Sequence, residues 1–175
     1  MTSRKRGIGV FVILSLVILF GGILAIRERS ADHKPLGESP SIRFESTAAP
    51  DDTTRLFLEG NFAIIKDVQA LPASILKACT EIGGSRHVLA NPGHRFEATD
   101  VIRDESLPRK RLIFAGVSGN RWFVHYEQGG RGHSFRLAFF QVTSPSTMKP
   151  LWLGFCGPAK DIADLRSQVR AGCSR

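Results

Sequence analysis

The sequence predicts an α+β domain: a four-stranded antiparallel β-meander packed with one helix before it and one after it. Three observations lead there. Residues 111–155 hold four runs rich in β-branched and aromatic side chains, separated only by short turn signals. Before them, Ile75, Leu76, Cys79 and Ile82 recur at helical spacing. After them, Ile162, Leu165 and Val169 share one helical stripe.

From the N-terminus, Arg4, Lys5 and Arg6 precede an uncharged run from Gly7 to Ile26, and Arg27, Glu28 and Arg29 follow it. Such a run, as a helix, spans about 30 Å, the hydrocarbon thickness of a bilayer. A secretory signal has a shorter apolar stretch and a small-x-small cleavage site. Here the best cut, after Ala25, has bulky Ile23 at the minus-three position. No cysteine follows the run to carry a lipid. The expectation is an uncleaved single-pass anchor over 7–26, with residues 1–6 as a cytoplasmic tail. Basic residues flank both sides, so the positive-inside rule favours that orientation only slightly. The C-terminal part then lies outside the cytoplasm, periplasmic in a Gram-negative cell.

Residues 27–54 are rich in Ser, Pro, Ala, Asp and Glu, with Leu36, Ile42 and Phe44 their only large apolar side chains. Too little can be buried to offset the entropy of ordering, so a flexible linker is expected, with weak docking of Ile42 and Phe44 as its one exception. Residues 55–175 suit one domain with one core. Phe62 to Lys66 is a short apolar run that suits a first strand. Pro72 opens the first helix and Gly83-Gly84 stops it. Residues 85–108, with Asn91-Pro92-Gly93 and Pro108, read as loop with at most a short strand near Phe96.

The meander follows: Arg111 to Val117, Trp122 to Glu127, Ser134 to Val142 and Leu151 to Phe155. Links this short permit only antiparallel neighbours. Side-chain alternation predicts one apolar face and one mixed face. Pro158 is expected to open the last helix, which Gly172 ends.

Three cysteines, Cys79, Cys156 and Cys173, fit one disulfide plus a spare in an oxidising compartment. A helix running unbroken from Pro158 to Ala171 puts its ends ~21 Å apart, too far for Cys156 to meet Cys173. That geometry favours Cys79–Cys173, with Cys156 free.

His125 and Glu127 are two apart on one strand and share a face, with His133 just across the hairpin and Arg136 a candidate for the same face. Two imidazoles and a carboxylate are the groups of a metal site or an acid–base pair. A polar hairpin face gives the same pattern. Gly129, Gly130 and Gly132 with Arg131 suit a backbone anion nest, or simply a turn. Arg109, Lys110 and Arg111 form the densest basic cluster in a chain of formal net charge +8. Outside the cytoplasm that charge points to an anionic envelope surface or a protein partner. Nucleic acid is disfavoured, because no aromatics interleave with a repeated basic motif. No nucleophile elbow, His-Glu-x-x-His or phosphate-binding loop occurs, and nothing in the pattern calls for a cofactor. The leading reading is a membrane-anchored, non-enzymatic binding domain. The alternative is a small metal binder or hydrolase using His125, Glu127 and His133.

Overall fold

The four runs in residues 111–155 form the expected antiparallel strands, and a fifth strand joins them. The computed structural model describes residues 42, 44, 51–82 and 89–173. The expected tail at 1–6, the anchor at 7–26 and most of the linker at 27–54 lie outside the described residues. Among the described residues no helix is long and apolar enough to cross a membrane.

The elements run α1 (Asp51–Glu59), β1 (Ala63–Ile65), α2 (Ala73–Glu81), β2 (Lys110–Ser118), β3 (Arg121–Gln128), β4 (Ser134–Ser144), β5 (Thr147–Cys156) and α3 (Ile162–Arg170). The sheet order is β1-β2-β3-β4-β5, antiparallel throughout. The expectation of four strands is corrected by β1, which pairs Ala63 with Val117 and Ile65 with Ala115. This strand lies within the Phe62–Lys66 run expected as a first strand; its place at the sheet edge comes from a partner far along the chain. No strand forms near Phe96 among the described residues.

A second correction concerns the sheet faces. Both are apolar and both are covered. On one side Ile75, Ala78, Cys79 and Ile82 of α2 pack on Leu112, Ala115, Val124, Tyr126, Ala138 and Phe140. On the other, Phe57 of α1 and Leu165 of α3 pack on Phe114, Phe123, Leu137, Phe139 and Trp152. The register shifts between Leu112 and Phe114 on β2, and between Phe139 and Phe140 where β4 meets β5. These irregularities bring Ile113 and Leu151 against the phenylalanine cluster. Alternation along single strands predicts one mixed face, but the β3–β4 register pairs Val124 with Ala138 and Phe123 with Phe139, so each face takes the apolar set of one of these two strands.

Helix α1 was not expected, and the boundary drawn at residue 55 falls inside it. Thr53 and Phe57, four apart, are its buried positions, one stripe too narrow to outweigh the polar composition around it. Arg166 of α3 holds its C-terminal end, donating to the carbonyls of Phe57 (3.0 Å) and Gly60. Ile42 and Phe44 also rest against the α2-side core, with the Phe44 ring 6.2 Å from that of Phe140.

The last helix is shorter than the expected Pro158–Ala171 span, and this overturns the disulfide. Asp161, not Pro158, caps α3: its carboxylate accepts from the Asp164 backbone N–H at 2.8 Å. Gly157–Asp161 leads away from β5, the helix leads back, and Gly172 at φ +89° turns the chain once more. Cys156 and Cys173 are thus bonded, with Cα atoms 4.8 Å apart. Cys79 is free and buried. It lies on α2, with the sheet between it and α3, so a Cys79–Cys173 bond is sterically closed.

Candidate functional site

The structure places His125 inside the core. It is fully buried on the phenylalanine side, its ring 5.5 Å from Phe114, and its Nδ1 is 3.0 Å from the Arg136 carbonyl. Burial pushes its pKa down to about 4, against smaller upward contributions from that carbonyl, Glu127 and Asp164. Glu127 points to the rim instead, joining Arg111 Nε at 2.5 Å and His133 Nε2 at 3.2 Å. Arg136 pairs with Tyr126 in register and therefore sits on the opposite face from His125. No group of three His, Cys, Asp or Glu suited to a metal occurs among the described residues. Of the alternative His125–Glu127–His133 centre, the structure brings Glu127 and His133 together at the rim and leaves His125 apart in the core.

The burial of His125 makes stability depend on pH. In the unfolded chain the imidazole takes a proton near pH 6.5; in the fold it does so only near pH 4. Between these values the unfolded state binds the extra proton, so stability falls as pH falls through that window. The expected total is about 3 kcal/mol. Urea unfolding at pH 7 and pH 4.5 should show most of that loss, about 2 kcal/mol, in the parent and a smaller one in His125→Phe. Equal losses in both would assign the acid sensitivity to carboxylates.

The basic cluster at Arg109, Lys110 and Arg111 is also dispersed. Adjacent strand residues face opposite ways, so three consecutive charges cannot form one patch. Lys110 is buried, and its ammonium donates to the carbonyls of Cys79 and Ile82 at the end of α2. There it offsets the negative end of the helix. Burial lowers the Lys110 pKa to about 8 and raises that of Cys79 to about 12. Arg111 lies over the Phe96 ring at 4.4 Å and donates to the His94 carbonyl at 3.1 Å. Arg109 accepts at its carbonyl from Gly129 N–H at 2.8 Å.

What these residues do together is fix the loop 91–108. At its base, Ala90 bridges in parallel to Arg111, and Asn91 Oδ1 accepts from the Val68 N–H at 2.7 Å. Glu97 N–H donates to Pro108 O at 2.8 Å and Gly130 N–H to Ala98 O at 3.3 Å. The glycine amides suggested as an anion nest are thus partly spent on this loop. Gly129 is required by space: a Cβ there would lie 1.9 Å from the Glu97 carbonyl. Further out, the buried Glu97 carboxylate accepts from Asp104 N–H at 3.0 Å, and Asp104 in turn accepts from Ser106 N–H at 3.0 Å.

The tip between these anchors carries Val101 and Ile102, 62% and 47% exposed, the two most exposed large apolar side chains among the described residues. Asp100, Arg103, Asp104 and Glu105 surround them in sequence. A loop of this length is ordinarily either functional or disordered; this one is tied down at its base and at its tip. Sequence reading marked the segment only as loop. The signal available was Val101-Ile102 set among charged residues. Beside the loop base, Arg111, Ile113, Glu127, Phe135, Lys160 and Asp164 line an open depression of about 490 Å³. Its Arg111 and Glu127 are paired to each other, and Asp164 accepts the Lys160 N–H at 3.2 Å. Set against known protein families, curated proteins and solved structures, the chain matches no family model, no curated protein and no solved structure.

Proposed function

We propose that this chain is a membrane-tethered binding domain that docks a protein partner through the tip of loop 91–108. The observation that carries this reading is the pair of exposed side chains, Val101 and Ile102, on a loop whose hydrogen bonds are formed before any partner arrives. Preorganisation lowers the ordering cost of association, and apolar side chains held out in water gain most from being covered. The charges around the tip are of both signs, which suits a protein surface better than a uniformly anionic polymer or lipid. A binding role is favoured over a catalytic one because His125 is sealed in the core and Glu127 is committed to Arg111 and His133. Tethering rests on the uncharged run Gly7 to Ile26. Placement outside the cytoplasm is supported by the Cys156–Cys173 bond, since such bonds persist in oxidising compartments.

The test is photo-crosslinking of the full-length chain in intact cells. A crosslinker at residue 101 should give one discrete membrane-fraction adduct, and one at Ile64, an exposed apolar site on β1, should not. Adding Ile102→Asp should reduce the residue-101 adduct about tenfold or more, as loss of an interface anchor does. Equal labelling from residues 101 and 64 would overturn the proposal.

A further inference from the structure

One corner of the α2-side sheet face carries unmet hydrogen-bonding capacity. Among the buried side-chain atoms without a partner are Tyr126 Oη, Gln128 Oε1 and Arg136 Nε. These are neighbours. Tyr126 pairs with Arg136 in register, and Gln128 lies two residues on from Tyr126 along β3, opposite Ser134. Paired and i, i+2 positions on one face bring side chains within reach of one another. Buried polar atoms without partners are few in native proteins, and a group of them in one place asks for an explanation.

The same corner has charge without a counter-charge. Arg136 forms no ion pair with any described carboxylate, and Lys110, opposite Gln128 on β2, forms none either. The Lys110 ammonium is answered by the last carbonyls of α2. Among the described residues the Arg136 guanidinium is answered by the ring of Phe155, which it covers at 4.1 Å. Phe155 pairs with Arg136 in register, so the two side chains share this face. Phe155 is 37% exposed and Arg136 is half-buried, so the corner is open at this side.

The donors suit one ligand class. The Tyr126 hydroxyl and Arg136 Nε–H both donate. The Gln128 amide places its oxygen inward, and turning the amide over would present N–H₂ at the same point. The guanidinium Nε–H with a hydroxyl and an amide donor beside it is a receptor for an oxyanion, whose several lone pairs accept from all three. Water would satisfy the hydrogen bonds and leave the charge unmatched by any described carboxylate. We infer that this corner binds a carboxylate or phosphate group through Arg136, Tyr126 and Gln128, with the exposed Phe155 ring receiving the apolar group that carries it. The site is independent of the Val101–Ile102 tip.

The experiment uses the full-length protein in neutral detergent micelles, with nitrogen-15 arginine labelling. Sodium phosphate and sodium acetate are titrated at constant ionic strength against sodium chloride. The Arg136 Nε–H resonance should shift saturably with phosphate or acetate and not with chloride. The tighter of the two identifies the anion. Arg136→Gln should abolish saturable binding. Tyr126→Phe removes a buried hydroxyl that lacks a partner, so it should leave the melting temperature of the free protein unchanged or higher. The same change should weaken anion binding about tenfold, the worth of one hydrogen bond to a charged group. Failure of both anions to saturate, or equal affinity in Tyr126→Phe, would overturn the assignment.

Discussion

Phe123→Ala should destabilise the domain by about 3–5 kcal/mol, the ordinary cost of emptying a buried phenylalanine site. Phe123 is fully buried at the centre of the phenylalanine cluster. Its ring meets those of Phe57 and Phe62 edge-on at 5.2 Å each, Phe114 at 6.0 Å and Phe139 at 6.2 Å. These partners come from α1, the α1–β1 connection, β2 and β4, so one truncation loosens four segments together. A domain of this size is stable by about 5–15 kcal/mol in total, so a large share of the margin goes. Chemical denaturation of parent and variant measures it. Phe123→Leu, which refills much of the volume, should cost clearly less. A loss under about 1 kcal/mol for the alanine variant would mean that the rings do not pack as described.

Reduction of Cys156–Cys173 should lower stability by about 3 kcal/mol, the loop-closure value for a bridge of similar span. The cysteines are 17 residues apart, and the closed loop contains all of α3. Without the bond the helix is held by Leu165 in the core, by Arg166 on the carbonyls of Phe57 and Gly60, and by Gln168. Gln168 accepts from Gly157 N–H at 2.7 Å and donates to Pro158 O at 2.8 Å. The expected fall in melting temperature is on the order of 10 °C. Thermal melts with and without reductant test this, and Cys79→Ala should show the same fall because its thiol takes no part. Insensitivity of the parent to reductant would show that these side-chain contacts alone secure α3. Such a fall would also make the compartment matter, since a reducing one would strip part of the stability.

The polar constellation that stood out in the sequence and the one that the fold assembles differ for a specific reason. His125, Glu127 and His133 are close along the chain, and the shared face of His125 and Glu127 was legible from their spacing. Which part of that face is covered was not. Helix α3 and Phe114 cover the His125 end, and the Glu127 end reaches the rim. Arg109, Lys110 and Arg111 illustrate the same limit. Three adjacent charges look like a patch in one dimension, yet on a strand Lys110 points under α2 while Arg111 points to Glu127. Tyr126 and Gln128 drew no notice in sequence, and Arg136 only as a candidate for the His125 face, because their unmet hydrogen bonds exist only once the sheet buries them.

The sequence by itself determined the α+β class, the order of the four main strands with their turns, the existence and phase of α2, and the apolar stripe of α3. These are local properties: periodicity of 2 or 3.6, glycine and proline at turns, and link lengths too short for anything but antiparallel neighbours. Only the tertiary structure decided what depends on residues distant in the chain. It placed β1 beside β2, raised α1 from polar sequence by burying Phe57, covered both sheet faces, and joined Cys156 rather than Cys79 to Cys173. Each of those outcomes was set by contacts between separate segments, and the periodicity of one element does not carry the position of its partner.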